Sequence, residues 1–401
     1  MHVEPITCLR PTPKRVSEFA ALPYDVFSES EARAFVEAHP TSFLAIDRPE
    51  TGFAEDHDPY APEVYEHAHN LLRERQLDRT LMPDEKPCFY LYELSTASHR
   101  QMGVMGAIAV DDYLDGTIRQ HELTLSQKEQ DRVNHIKILR AQTGPVFLAY
   151  KDSVAIDTIL DAARLATPLY DFMGPGNVRQ RVWRIARPVA VEALQVAFGT
   201  VERGYIADGH HRAAAAARIC QERRAEGITG DPSEAFLGVL FPASQLRILP
   251  YDRIVADTAG LEEDEFVLRL EAAGFSVDAP SRDAQLPSNK GSFGVFAFGS
   301  WRTIHALDAA DQLDVSVLQE RVLGPILGIE DPRTDSRISF AGNAQPEELE
   351  RLAHSTGISF ALYPTSIDEL MAIADEGGIM PPKSTWFEPK LLSGLAIRRI
   401  W

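Results

Sequence analysis

Two rhythms of apolar and polar positions run along this chain. Short apolar runs of strand length, bounded by Gly, Pro, Asn or Asp, occur at 42–46, 88–94, 103–110, 146–150, 182–186, 205–207, 235–241, 291–298 and 301–307. Between them, apolar residues recur every three or four positions over 32–38, 65–76, 126–139, 153–166, 189–197, 261–273, 315–327, 346–356 and 367–374, which predicts helices with one buried face. Ser28 with Glu31, and Ser126 with Glu129, have the spacing of a capping box at a helix start. His39-Pro40 and Gly144-Pro145 mark helix ends, because proline disfavours helical backbone in the residue before it. Strands alternating with helices throughout predict a mixed α/β (α+β) protein. Pro-rich joints near Pro59 and Pro242 suggest three regions: an N-terminal α/β part over 1–112, a core over 113–245, and a C-terminal α/β part over 246–401.

The pattern is most informative at 201–220. An apolar run, Tyr205 to Ala207, ends at Asp208-Gly209, and a row of alanines from Ala213 to Ala217 demands helix. The intervening His210, His211 and Arg212 then occupy a first helical turn, whose backbone N–H groups have no intrahelical partner and point at one place. Arg212 suits a bidentate phosphate or carboxylate. Gly209 permits a tight backbone, and Asp208 either caps the helix or turns outward to hold a hydrated cation. His210 and His211 are neighbours, so their side chains diverge by about 100° on a helix and do not readily share one metal. A plain strand–turn–helix with a surface arginine is the alternative reading of the same residues.

Composition narrows the partners. With 401 residues, 44% hydrophobic and 25% charged, the chain has the make-up of a packed globular protein. A net charge of -19 argues against general affinity for nucleic acid or an anionic membrane, so an anion needs a local basic exception. Arg119, Lys128, Arg132, Lys137 and Arg140 form one such stretch, and Arg179, Arg181 and Arg184 another. The N-terminus lacks a signal-peptide pattern and no apolar run reaches about 18 residues, so a cytoplasmic protein is expected. Cys8, Cys88 and Cys220 are too scattered for a metal knuckle or a disulfide framework and are expected as buried thiols. Neither a P-loop, a dinucleotide fingerprint nor a G-x-S-x-G elbow occurs. The closing run Met380 to Gly394, with Lys383, Ser384, Trp386 and Phe387 among prolines, is too rigid for a free tail and is expected to dock.

Pro23-Tyr24-Asp25-Val26, Arg119-Gln120-His121-Glu122-Leu123-Thr124, Ile206 to Arg212 and Met380 to Thr385 together resemble the bacterial domain of unknown function 1015 family over essentially the whole chain. More distantly, the succession His121-Glu122, a helix, Gly144-Pro145-Val146 opening a strand, then Asp208 to Arg212 is similar to the ParB/sulfiredoxin superfamily and its free-serine kinases. That resemblance implies a ParB/sulfiredoxin-like core with N- and C-terminal α/β additions. It implies Glu122 as base on a substrate hydroxyl, and Asp208 to Arg212 as a cradle for nucleotide phosphates. Two departures limit it: a long stretch separates Tyr150 from Asp208, and His210 stands near the place of sulfiredoxin's cysteine.

The leading expectation is a nucleotide-dependent kinase for the hydroxyl of a free amino acid such as serine, using ATP or ADP with Mg²⁺. Glu122, His121 and Asp208 would be catalytic, with Asp208 also on the metal. Gly209, His210, His211, Arg212, Arg119, Lys383 and Ser384 would bind phosphate or nucleotide. The expected partners are the amino acid and the nucleotide, with no nucleic acid and no membrane; a homodimer is allowed. The alternatives are a non-catalytic nucleotide-binding regulator and a metal-dependent hydrolase using His121, Glu122, Asp208 and His210.

Overall fold

The computed structural model describes residues 1–309, 312–354 and 356–401. The chain divides into two compact units, one of Met1–Leu246 with Pro389–Trp401 and one of Arg247–Glu388. The expected joint at 112/113 therefore falls inside the first unit, and the joint at 245/246 falls beside its edge.

The first unit is built on a nine-stranded sheet. Its strands are β1 (Val3–Glu4), β2 (Phe89–Ser95), β3 (Arg100–Ala109), β4 (Ile118–Arg119), β5 (Val146–Tyr150), β6 (Tyr170–Met173), β7 (Arg179–Ile185), β8 (Gly204–Asp208) and β9 (Ala235–Pro242). They lie in the order β4-β8-β5-β9-β3-β2-β7-β6, with β1 paired to β3. The pairs β8–β4 and β9–β5 are parallel and the others antiparallel, so the sheet is mixed. The central strands are continuous apolar runs because both their faces are covered.

Five helices matter here: α1 (Pro62–Leu77), α2 (Ser126–Leu139), α3 (Val154–Ala163), α4 (Pro188–Gly199) and α5 (His210–Ala225). Ile156 and Leu160 of α3, Leu194 and Phe198 of α4, and Ala213, Ala216 and Ala217 of α5 share one core with Leu91, Val104, Leu148 and Ile206. The alanine row serves a second contact, since Ala215 meets Val133 and Ile136 of α2, which a larger side chain would hold off. A small four-stranded sheet joins residues 81–83, 8–11, 397–399 and 141–142, bringing the chain's last residues into this unit.

Two local expectations are corrected. The apolar run 42–46 is a buried helical turn, Leu44–Asp47, rather than a strand; so short an apolar run fits either state once every face is covered. Ser126 is the first helical residue, not a cap. Leu125 holds the cap position, and Glu129 takes the Thr124 hydroxyl at 3.0 Å. The other capping box, Ser28 with Glu31, forms as expected.

The second unit holds a six-stranded antiparallel sheet of β10 (Tyr251–Val255), β11 (Phe275–Val277), β12 (Ser292–Ala297), β13 (Ser300–Ala306), β14 (Ile338–Gly342) and β15 (Ile358–Leu362). Their order is β11-β13-β12-β15-β10-β14. The expected hairpin forms, turning on Phe298 and Gly299, both at positive φ, as the strand twist favours. The helix expected over 346–356 runs Pro346–Ala353, and position 355 lies outside the described residues. The helix expected over 315–327 is Asp314–Leu318 followed by a π-turn, Gln319–Leu323. Cys8, Cys88 and Cys220 are buried free thiols. Among the described residues no helix is long and apolar enough to cross a membrane.

Candidate functional site

The His121-Glu122 and Asp208 to Arg212 segments both lie in the first unit. Strand β8 shifts register against β5 between Ile206 and Asp208, so the chain leaves the sheet at Asp208. Gly209 then takes φ 97° and ψ 30° and caps α5, its carbonyl accepting the Ala213 N–H at 3.0 Å. Asp208 is therefore not the N-cap, and no side chain caps this helix. Two constraints converge on Gly209. Its left-handed backbone is unfavourable for any L-residue, and a Cβ there would lie 3.0–3.2 Å from the Arg212 guanidinium.

Arg212 is held from both sides. One guanidinium nitrogen donates to the Pro145 carbonyl, and another lies 3.8 Å from Asp208 Oδ1. Asp208 Oδ2 in turn accepts from Lys390 Nζ at 3.2 Å. Sequence reasoning passed over Lys390; its only signal was its place in the proline-rich tail already expected to dock. Lys383 and Ser384 of that tail belong to the second unit. There the Ser384 hydroxyl donates to the Pro381 carbonyl at 2.6 Å, and the Lys383 amine lies 5.6 Å from the centroid of the Tyr251 ring.

The His121-Glu122 segment reaches the same place. Strand β4 pairs in parallel with β8, so the chain leaving Arg119 passes the end of β8 where α5 begins. His121 and His210 are 2% and 4% exposed, their rings edge to face with centroids 4.5 Å apart. His210 Nδ1 lies 3.9 Å from Glu122 Oε2, and the Glu122 side chain is one-third exposed. Burial drives the His121 pKa down to about 4, against a smaller upward pull from Asp208. Burial likewise pushes His210 well below the ordinary histidine range, with His121 adding to the effect. Both rings are thus neutral near pH 7, and the approach of His210 to Glu122 is a neutral imidazole beside a carboxylate, not an ion pair. His121 Nδ1 and His210 Nε2 are buried without a hydrogen-bond partner, which points to a polar group they await.

His211 Nε2 accepts the Leu125 N–H at 3.0 Å and so carries no proton, pinning the loop after Glu122 to α5. Arg119 is half-buried at the foot of that loop. Arg132 does not serve the site as a free cation: it is buried, paired with Asp47 at 3.3 Å and Asp131 at 2.7 Å, and stacked 4.2 Å over Tyr24. A small, partly open cavity of about 20 Å³ is lined by Tyr24, Arg132, Gly144, Arg212 and Ser393, so Tyr24 of the Pro23-Tyr24-Asp25 motif and Arg212 share one pocket wall.

The arrangement offers a helix N-terminus, the cations Arg212 and Lys390, two neutral imidazoles and two carboxylates. That set matches an anion carried with a divalent cation and a hydroxyl to be deprotonated. Among the described residues no group of three or more His, Cys, Asp or Glu is placed to hold a metal ion. His121, Glu122, Asp208 and His210 therefore do not form the ligand cluster a hydrolytic metal requires. Mg²⁺ is different, since it commonly takes one or two carboxylates and completes its shell with phosphates and water, and Asp208 fits that role.

No curated protein matches the sequence. Among solved structures the chain is loosely similar to SbnI with C-terminal truncation from Staphylococcus aureus, at 12% identity and TM-score 0.39, covering 73% of this chain and 87% of that one. It is similar to a free serine kinase in complex with AMP at 14% identity and TM-score 0.37, covering 71% and 86%. A conserved hypothetical protein from Pyrococcus furiosus matches at 13% identity and TM-score 0.37, covering 74% and 95%. The family model described as protein of unknown function (DUF1015) matches residues 3–319, and the chain belongs to that family.

Proposed function

We propose that this protein is a nucleotide-dependent kinase that phosphorylates the hydroxyl of a small molecule, with a free amino acid such as serine as the expected acceptor and ATP or ADP as donor. The observation that carries the reading is the meeting of two segments nearly ninety positions apart: Glu122 stands 3.9 Å from His210, in the first turn of α5.

Phosphoryl transfer asks the protein for position and charge rather than covalent chemistry. The N–H groups of His210, His211 and Arg212 and the Arg212 guanidinium hold the nucleotide's phosphates, His211 keeping its ring turned to the Leu125 N–H. Gly209 lets the backbone approach them closely. Glu122 orients the acceptor hydroxyl and takes its proton as the oxygen–phosphorus bond forms. The bond to the nucleotide's bridging oxygen breaks, and the nucleotide leaves shorter by one phosphate. His121 and His210, neutral and with unpartnered ring nitrogens, supply hydrogen bonds to the transferring group or acceptor without adding charge. Asp208 is the carboxylate that would hold Mg²⁺ arriving with the nucleotide, and the ion would supply charge neutralisation on the phosphates. Arg119 supports the loop that carries Glu122. Nothing here is asked of Lys383 and Ser384.

Incubating the full chain with γ-labelled ATP or β-labelled ADP, Mg²⁺ and a panel of amino acids and other small alcohols tests the proposal. Label should pass to an acceptor, and Glu122→Gln should lower kcat by about 10²–10⁴ while nucleotide affinity stays within about threefold. Nucleotide binding without transfer to any acceptor would leave the regulator reading in its place.

A further inference from the structure

We infer that Lys390 is a phosphate-binding cation of this site, held on Asp208 until a nucleotide arrives. The inference rests on the nucleotide reading above and deepens it by adding a residue that lies outside the recognised motifs and beyond the matched span, which ends at 319.

Three features of Lys390 and its surroundings converge. First, Lys390 Nζ lies 3.2 Å from Asp208 Oδ2, one residue before the glycine that caps α5, and the Lys390 side chain is only 12% exposed. A lysine side chain is not buried at a helix start by accident, because the helix end is itself positive and repels the amine unless an anion lies between. Second, the backbone around Lys390 is fixed on both sides. The Pro389 carbonyl accepts from Gln101 at 3.4 Å, the Leu392 N–H donates to the Tyr92 hydroxyl at 3.3 Å, and Ser393 exchanges backbone hydrogen bonds with Ala21. The stem is anchored, and the four-carbon side chain alone remains to swing. Third, Asp208 faces two cations, Lys390 at 3.2 Å and Arg212 at 3.8 Å. A half-buried carboxylate between two cations returns little net stability once its lost hydration is counted, so stability does not explain the arrangement.

An exchange of partners explains it. A nucleotide arriving with Mg²⁺ brings a cation for Asp208 and anionic oxygens for Lys390 and Arg212, so each group trades one opposite charge for another. No charge is left buried alone at either stage. The transfer is one of hydrogen bonds only; no bond is made or broken at Lys390.

Calorimetric titration of ADP into the full chain, in EDTA and in Mg²⁺, decides it. Lys390→Met should weaken ADP binding at least tenfold under both conditions, and Lys390→Arg should recover to within about threefold of wild type. In EDTA, Asp208→Asn should tighten ADP binding at least twofold, because it removes a negative charge and releases Lys390. A purely structural Lys390–Asp208 pair predicts instead that both Lys390→Met and Asp208→Asn weaken binding alike. ADP affinity unchanged in Lys390→Met would overturn this inference and leave the kinase reading intact, whereas a wild-type chain that binds neither ATP nor ADP would overturn both. Should Lys390→Met fail to fold, the wild-type chain still decides. Pyridoxal 5′-phosphate fixed with borohydride should label Lys390, and ADP should suppress the label; an unlabelled or unprotected Lys390 counts against the assignment.

Discussion

His121 and His210 show how much chemistry burial confers on a residue that a sequence records only as a letter. A histidine in water is half-protonated near pH 6.5, but here the pair sits ring edge against ring face with almost no exposure, so a charge on either would lie in a low-dielectric place beside its neighbour. The consequence for stability has a definite sign. Below about pH 6.5 the unfolded chain takes up a proton on His121 that the folded chain refuses until about pH 4. Each pH unit descended through that window therefore costs the folded state about 1.4 kcal/mol. Between pH 6.5 and 5.0 the wild-type chain should lose about 1.5 kcal/mol more than His121→Asn, because the unfolded histidine is only half-protonated at the start of that interval, read from urea unfolding of the first unit at both pH values. Equal losses would mean that His121 titrates normally in the fold. His210 contributes in the same direction in both chains and largely cancels. That Glu122 and these two histidines come together in space was legible from the motifs, but the neutrality of the histidines was not. It follows from walls supplied by β8, β4 and α5, which no local window contains.

At the scale of elements, α5 is the piece the sequence specifies best, and its start is where local reasoning failed. The alanine row fixed helix, and Ala215 facing α2 explains why alanine and not leucine occupies the middle of it. The cap was misassigned because Asp208 has the right side chain for an N-cap, whereas the chain needs a left-handed residue one position later to turn α5 away from β8. Ser126 failed as a cap for a related reason. The Glu129 N–H that a Ser126 cap would have accepted bonds the Leu125 carbonyl at 3.0 Å, and the Glu129 carboxylate that would have reached back to the Ser126 N–H takes the Thr124 hydroxyl instead. Where no such partner intervenes, as at Ser28 and Glu31, the box forms as its spacing says. Gly209→Ala tests the account of the start of α5. The substitution should destabilise the first unit by about 1–2 kcal/mol through the φ 97° backbone alone. It should also weaken nucleotide binding at least tenfold, because the new Cβ would press on the Arg212 guanidinium. A loss of stability with nucleotide affinity intact would show that Arg212 can yield without leaving the phosphates.

The whole molecule is organised discontinuously, and this was the least legible level of all. Hydrophobic rhythm locates strands but not their order, and here the first strands of the chain enter the same sheet as those near residue 240, while residues 389–401 return to complete the first unit. A boundary drawn from proline-rich joints follows the chain, whereas compactness follows long-range pairing. The second unit is an insertion whose two ends meet. Ile248 and Leu249 pair with Phe387 and Trp386, and the Glu388 N–H donates to the Arg247 carbonyl at 3.3 Å. Since Leu246 and Pro389 are each one residue beyond that bond, a linker of about four Gly and Ser residues spans them. Replacing 247–388 by such a linker should therefore leave a folded chain with its buried core, as insertions at adjacent ends are removable when each part has a core of its own. Because Glu122, His210, Arg212, Asp208 and Lys390 all belong to the retained part, the shortened protein should bind ADP within about threefold of the full chain. A tenfold loss in a chain that remains folded would assign the second unit a direct share of the nucleotide, and Lys383, with its amine over the Tyr251 ring, would then be the first residue to replace.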